Sequence, residues 1–373
     1  MKILHIADVH LDSPFSACDP AKSEKRRAEL RESFKSAMRF AREAGVSLVL
    51  IAGDLFDHGF ATKKTADMLA ALFSEMPEIK IVISPGNHDA YIKGGVYKSV
   101  SFPENVFIFE NEELSRFEFP ELGADVYGYA FTSERLETSP LAGKRALDNG
   151  RLKLLCIHCD TRSPISRYAP VSREDIAAFG ADYAALGHVH NPGEPEYAGS
   201  CLAAYSGCLV GRSFDETGKK GAILVDYDPE TKKISTEKKI FSTGHYEIEE
   251  LDVTGAESDR EVAARIGELV KKRGYGEDTA LRVVLSGAVT PSYIPVTETM
   301  EKEDFGLFSL EVKDGTDPVY AADSLEGDMT LRGEVWRILK EKMNSGSQEE
   351  RETAKRALRY ALAALDGRDP SDR

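Results

Sequence analysis

Five times within its first 190 residues the chain runs through a short apolar stretch and closes it on a side chain able to bind metal or move protons. Asp8-Val9-His10 follows Lys2–Ala7, Gly53-Asp54 follows Val46–Ala52, and Gly86-Asn87-His88-Asp89 follows Lys80–Ser84. His158 then follows Leu152–Ile157, and Gly187-His188-Val189-His190 follows Tyr183–Leu186. Apolar runs of this length, bounded by turn residues, read as strands buried on both faces. Helical patterns lie between them. Leu30, Phe34, Met38 and Ala41 recur at helical spacing within Lys22–Ala44, Thr62–Met76 predicts a second helix, and Ser172-Arg173-Glu174-Asp175 has capping-box spacing before a short helix to Phe179. With Asp125–Ala130 as a further strand, the alternation predicts an α/β layered domain. In open α/β sheets the crevice outside the strand carboxyl ends is where ligands bind, so all five loops can converge there.

The chain has only 8 His, and five of them (His10, His88, His158, His188 and His190) occupy these loops. Singly, each motif has a bland explanation: Asp-x-His arises by chance, Gly-Asp is usually a turn, and Asn-His-Asp could cap a helix. Jointly, coincidence is the weaker account. His5, inside the first strand, reads as a satisfied core histidine; His58 reads as a surface group, and His245 carries no signal. Imidazoles mixed with carboxylates and no Cys suit a borderline transition metal rather than Ca²⁺. One ion would leave ligands over, whereas two ions about 3.5–4 Å apart, bridged by a carboxylate, form the clamp used for in-line displacement at phosphorus. The expected chemistry is phosphoester hydrolysis.

Composition narrows the setting. Lys+Arg number 48 against 63 Asp+Glu, a net charge of −15, which is a poor basis for non-specific duplex binding. No apolar run is long enough to span a bilayer, and 5 Cys argue against a disulfide framework, so a cytoplasmic location is the expectation. From about residue 198 the chain becomes strand-rich, with a hairpin signal at Asp228-Pro229-Glu230-Thr231. Asp259–Arg273 is an amphipathic helix and Thr279–Gly287 a strand, and apolar stripes through Val335, Ile338, Leu339 and Ala354, Leu358, Leu362 predict two final helices.

The ordered set Asp8-x-His10, Gly53-Asp54-x-x-Asp57, Gly86-Asn87-His88-Asp89, His158 and Gly187-His188-x-His190 resembles the calcineurin-like metallophosphoesterase superfamily. The opening run from Leu4 to Phe15, Gly53-Asp54-Leu55-Phe56-Asp57, and Tyr205-Ser206-Gly207 followed by Lys220-Gly221 are similar to its DNA-repair exonuclease branch, the SbcD-type and YhaO-type nuclease subunits. The resemblance implies a four-layer α/β/β/α sandwich over 1–250, a small α+β capping domain over 251–330, and C-terminal helices over 331–373. It implies two divalent ions, Mn²⁺ first, with Fe, Zn, Co, Ni or Mg as alternatives. Asp8, His10, Asp54 and His190 would hold one, and Asp54, Asn87, His158 and His188 the other, with Asp54 as the bridge. His88 matches the family's general acid, and Asp57 the carboxylate that orients it. For substrate contacts the candidates are Tyr91, Arg162 and Arg167, on loops beside the motifs.

The function the resemblance implies is that of a DNA repair exonuclease, hydrolysing phosphodiester bonds by two-metal in-line attack with His88 as general acid. Its partners would be DNA and an SbcC-like coiled-coil ATPase held by the C-terminal helices, with no membrane. A homodimer through helices of the catalytic domain, Lys22–Ala44 being the candidate, is also implied. The alternatives are a phosphodiesterase or phosphatase acting on a nucleotide or another small phosphoester, and a metal-bound scaffold for a partner ATPase. The acidity is uneven: 251–330 holds 8 Lys and Arg against 17 Asp and Glu.

Overall fold

Leu48-Val49-Leu50-Ile51 is buried at every position, as a strand must be when both its faces are covered. A computed structural model describes residues 1–15, 19–57, 59–289, 293, 295–318 and 325–365; His58 lies outside them. The chain divides into two units, Met1–Tyr246 and Glu247–Arg373.

In the first unit the order is β1 (Lys2–Ile6), α1 (Pro20–Glu43), β2 (Leu48–Ile51), α2 (Lys63–Ser74), β3 (Lys80–Ile83), β4 (Val106–Ile108), β5 (Ser115–Phe119), β6 (Ala124–Gly128), β7 (Leu152–His158), α3 (Arg173–Phe179), β8 (Tyr183–Gly187), β9 (Glu196–Ala198), β10 (Cys201–Tyr205), β11 (Gly221–Asp228) and β12 (Lys233–Ile240). They form two six-stranded sheets, β12-β11-β1-β2-β3-β4 and β5-β6-β7-β8-β10-β9. The β1-β2-β3-β4 and β6-β7-β8-β10 cores are parallel, and the antiparallel pairings lie toward the edges. Period-two alternation sorts each strand between two cores. Leu48 and Leu50 meet Val126, Leu154 and Tyr183 between the sheets, while Val49 and Ile51 meet Leu30, Phe34, Leu69 and Phe73 beneath α1 and α2. On the far face Leu155 and Ile157 pack on Ile176 and Phe179 of α3, whose capping box, Ser172 with Asp175, is present. The result is the expected helix, sheet, sheet, helix sandwich. Strands β4 and β5 escape sequence reading because they are short and only partly buried.

Cys156 and Cys159, three apart, fall on opposite faces, one in the inter-sheet core and one beneath α3, so their spacing makes no redox or zinc pair. The sheets approach closely where β8 ends. A Cβ at Gly187 would overlap the Ala52 carbonyl and crowd His158. Gly187→Ala is therefore expected to cost at least about 3 kcal/mol, the upper end of typical overpacking, read as a lowered urea midpoint together with weakened divalent-ion binding.

The second unit holds β13 (His245–Asp252, which begins in the first unit), α4 (Asp259–Arg273), β14 (Thr279–Ser286), β15 (Ala288–Val289), α5 (Thr297–Glu301), β16 (Ser309–Asp314), β17 (Asp317–Pro318), α6 (Leu331–Asn344) and α7 (Gln348–Leu365). Val262, Ile266 and Val270 of α4 cover Leu281, Val283 and Leu285 of a β13-β14-β16 sheet. Helices α6 and α7 share a separate cluster built on Trp336, Leu358 and Leu362.

Candidate metal centre

The loops after β1 and β2 continue to pair beyond the strands. Asp8 N donates to Gly53 O (3.1 Å), His10 N to Asp54 O (2.9 Å) and Leu11 N to Leu55 O (2.9 Å). Asp8, His10, Asp54 and His188 sit in left-handed backbone, with φ of 50°, 50°, 51° and 107°. Non-glycine residues reach that region at a cost and concentrate at functional sites. The loop after β3 is fastened to the loop after β2 by Asp89, which is buried and accepts from Gly86 N (2.6 Å), Asp54 N (3.2 Å), Leu55 N (2.7 Å) and the Tyr97 hydroxyl (2.5 Å). Burial and the charge of Asp54 push its carboxyl up to about 6 in spite of these donors. Asp89→Ala would strand several buried donors, and a loss of about 3–5 kcal/mol in a denaturant titration is expected.

Around this scaffold the side chains gather in two overlapping sets. One ligand atom each from Asp8, His10, Asp54 and His190 lie within 4.8 Å of one another. His10 Nε2 is 3.2 Å from His190 Nε2 and 3.7 Å from Asp54 Oδ2. In the second set, His158 Nε2 lies 2.9 Å from Asn87 Oδ1 and 3.4 Å from the same Asp54 Oδ2, and its ring stands 5.2 Å from that of His188. Asp54 Oδ1 accepts from His88 N (2.8 Å), which leaves Oδ2 between the two sets, where a bridging carboxylate must be.

The tautomers test whether these residues fit metal ions. His158 Nδ1 donates to the Ala52 carbonyl (3.1 Å), so its Nε2 carries a lone pair and faces Asn87 Oδ1, another acceptor. His190 Nδ1 donates to Glu216 Oε1 (2.7 Å), which turns its Nε2 toward His10 Nε2 at 3.2 Å. Acceptors about 3 Å apart repel unless a cation lies between them, and bonds of about 2.0–2.1 Å from one ion to adjacent ligands produce that spacing. Burial holds His10 well below the usual histidine range, His158 near 3 and His188 near 4, so these imidazoles are neutral and ready to ligate. Burial also pushes Asp8 up to about 7, with the neighbouring Asp54 charge adding to the rise, and burial raises Asp54 against the pull of the surrounding imidazoles. The donor set fits a pair of divalent ions.

His88 stands at the mouth, its side chain 47% exposed, with Nδ1 donating to Asp57 Oδ1 (3.2 Å). That hydrogen bond raises the His88 pKa above the ordinary histidine value and holds Asp57 below the carboxylate range against its burial. Behind the ligands lies a pair that sequence reading passed over. Glu216 accepts from His190 and from Arg212 (Nη2, 3.2 Å), and Arg212 Nη1 reaches to 3.9 Å from Asp57 Oδ2. Their signal was the Arg-x-x-x-Glu spacing inside the segment between Tyr205-Ser206-Gly207 and Lys220-Gly221. Those flanking motifs hold loops: the Tyr205 hydroxyl bonds Cys159 O (3.0 Å) and Thr161 Oγ1 (2.9 Å), and Lys220 Nζ bonds Asn191 Oδ1. His5 is indeed a core residue, bonded to the Tyr183 hydroxyl (2.9 Å) and Leu186 O (3.2 Å).

The three substrate candidates are dispersed. Tyr91 is partly buried, its ring 4.4 Å from Lys98 Nζ and 6.3 Å from the Tyr97 ring. Arg162 is exposed and reaches Asn191 O at 3.4 Å, beside His190. Arg167 is exposed, with its carbonyl taken by Leu136 N (2.9 Å), whereas its neighbour Tyr168 lies with its ring 5.0 Å from that of His188.

A cluster of imidazoles around a shared carboxylate, three of them held neutral by burial and all set at the strand ends of a layered α/β sandwich, defines a metallohydrolase. The model of the family described as calcineurin-like phosphoesterase matches residues 1–192, and the chain belongs to that family. It is 30% identical over 302 residues to the uncharacterized metallophosphoesterase YhaO of Bacillus subtilis (strain 168), covering 77% of this chain and 72% of that protein. It is 26% identical over 250 residues to the DNA double-strand break repair protein Mre11 of Methanopyrus kandleri, covering 61% of this chain and 54% of that protein. The crystal structure of TT1561 of Thermus thermophilus aligns over 64% of this chain and 98% of its own with a TM-score of 0.40 and 13% identity, too slight a likeness to carry an argument. The chain is thus a phosphoester hydrolase of a family that uses a dinuclear metal site. No helix among the described residues is long and apolar enough to cross a membrane.

Proposed function

We propose that this metallophosphoesterase is a nuclease of the DNA repair branch, hydrolysing DNA phosphodiester bonds with Mn²⁺. The observation that carries the reading is the placement of His88, a half-exposed imidazole paired with Asp57 and joined through its own N–H to the bridging carboxylate. The likeness to a protein named for DNA double-strand break repair supports DNA as the substrate class. Two divalent ions, when bound, supply the charge that activates water and offsets the negative charge developing on the phosphoryl oxygens. Asp54 would serve both ions, with Asp8, His10 and His190 holding one and Asn87, His158 and His188 the other. Asp57 fixes the His88 proton on Nδ1, so that protonated His88 offers Nε2–H to the leaving alkoxide. The carboxylate and amide oxygens of the donor set suit Mn²⁺, while its imidazoles also suit Fe, Zn or Ni.

Mn²⁺-dependent digestion of a labelled oligonucleotide tests this. Cleavage that stops on chelation is expected; no Mn²⁺-stimulated cleavage, with or without a partner ATPase, would discard the reading. The net charge of −15 favours a second reading, hydrolysis of a nucleotide or other small phosphodiester, which efficient turnover of bis(p-nitrophenyl) phosphate with oligonucleotides untouched would select. The exposed apolar side chains of Leu331 and Ile338 on α6 and Tyr360 on α7 support these helices as the docking element for an SbcC-like ATPase.

A further inference from the structure

We propose that the groove between α1 and α2 is the track by which a nucleic-acid strand reaches the metal centre, its phosphates held by a cationic ridge on α1. The inference rests on the nuclease reading and names the surface that reading needs. A chain of net charge −15 has to concentrate positive charge somewhere if it is to hold a polyanion. It does so on α1, which carries eight Lys and Arg against four Glu. Arg27, Arg31, Lys35 and Arg39 follow one another at i, i+4 spacing, which lines them along one side of the helix for about 18 Å at 1.5 Å per residue. Arg27, Arg31 and Lys35 of α1, Lys64 of α2, Phe60 and Asp12 line a groove of about 580 Å³.

The ridge is not used up by internal pairing. Arg26, which is buried against Glu29 (2.6 Å), belongs to the fold and not to the ridge. Of the ridge residues, Arg27 and Arg31 share the single carboxylate of Glu24 (2.7 and 3.2 Å), itself 62% exposed, and Lys35 faces Glu32 (2.7 Å), 58% exposed. Exposed pairs of this kind are worth about 0–1 kcal/mol, so exchanging carboxylate for phosphate costs little. One positive side chain per helical turn meets a repeating monoanion, and Phe60, 52% exposed, offers an aromatic face to a base.

The groove also leads to the site. Arg31 Nη1 lies 3.6 Å from Asp12 Oδ1, four residues past Asp8. Asp12 Oδ2 accepts from Thr62 N (3.0 Å), in the stretch that follows Asp57, and Arg27 Nη1 reaches Pro14 O (3.2 Å). Thus the loops carrying Asp8, His10, Asp54 and Asp57 run directly into the groove walls.

The test compares wild type, the charge-reversed Lys35→Glu/Lys64→Glu and the charge-preserving Lys35→Arg/Lys64→Arg. The readouts are binding and Mn²⁺-dependent cleavage of a labelled single-stranded oligonucleotide across a KCl series, beside turnover of bis(p-nitrophenyl) phosphate, which has no further phosphates to lie along the groove. Charge reversal is expected to raise the oligonucleotide Kd and KM by tenfold or more and to flatten the slope of log K against log salt by about 1.4, two contacts at about 0.7 each for single strands. The Arg pair keeps wild-type values, and small-ester turnover stays within about twofold in all three. Unchanged oligonucleotide affinity and salt slope in the reversed variant, with cleavage intact in the wild type, overturns the groove alone. A wild type that hydrolyses the small ester but neither binds nor cuts the oligonucleotide overturns the nuclease reading, and the groove with it.

Discussion

His88→Ala is expected to lower kcat on a DNA phosphodiester by about 10²–10⁴-fold, the usual contribution of a positioned general acid. The loss depends on the leaving group. An alkoxide needs a proton as the P–O bond breaks, whereas p-nitrophenolate does not, so turnover of bis(p-nitrophenyl) phosphate should fall far less. Divalent-ion affinity, measured by titration calorimetry, should be retained, because the His88 side chain hydrogen-bonds Asp57 and only its backbone N–H reaches Asp54. The pH profile follows from the same pair. The Asp57 hydrogen bond raises the His88 pKa above its ordinary 6.5, so the acid form persists to higher pH than in an unpaired histidine and the rate declines as pH climbs past the raised value. Asp57→Asn removes the raising influence, and the alkaline limb should move to lower pH with a smaller fall in kcat than His88→Ala produces. An alanine variant equally impaired on both leaving groups would assign His88 to ion or substrate binding instead.

Asp54→Asn is expected to abolish activity on every substrate, by at least about 10³-fold, the order by which removal of a single electrostatic transition-state contact lowers kcat. Its Oδ2 lies 3.7 Å from His10 Nε2 and 3.4 Å from His158 Nε2, so neutralising it should weaken both ion positions together. Chelation of the wild type should reproduce the loss and lower the melting temperature, since ions that bind only the folded chain stabilise it by mass action. That stabilisation has a direction in pH. Burial raises Asp8 from 3.8 to about 7 and raises Asp54 as well. A folded-state pKa above the unfolded value means the folded chain binds protons more tightly, so the ion-free protein keeps that stability below about pH 4 and loses it as pH climbs through about 7. With ions bound the carboxylates are wanted charged. The melting-temperature gap between loaded and chelated protein should therefore widen from pH 4 to pH 7; a gap that narrows would remove Asp8 and Asp54 from the ion sites.

The seven candidate ligands could be read from the sequence because their residue types are scarce and each is tied to the end of an apolar run, so one-dimensional spacing carries the three-dimensional placement. Asp89 could not be read in this way, although it directly follows His88. Its task is to collect N–H groups from Asp54 and Leu55, more than thirty residues earlier, and nothing local distinguishes that from a turn cap. Glu216 and Arg212 lie in a loop without periodicity, and their meaning depends on His190 being folded back against them. The layered fold was legible from β2 and β3, whose residues are buried almost throughout, whereas β4 and β5 at the sheet edges leave most of their residues partly exposed and lack that signature.

The distribution of the ligands between the sheets also bears on when the site comes into being. Asp8, His10, Asp54 and Asn87 follow strands of one sheet, whereas His158 ends β7 and His188 and His190 follow β8 in the other. Neither sheet alone can assemble either ion position, and the chain must reach from residue 8 to residue 190 before the first is complete. Ions whose coordination is completed only by both sheets should act mainly on the docked state, so the loaded enzyme is expected to unfold more slowly than the chelated one while folding at a similar rate.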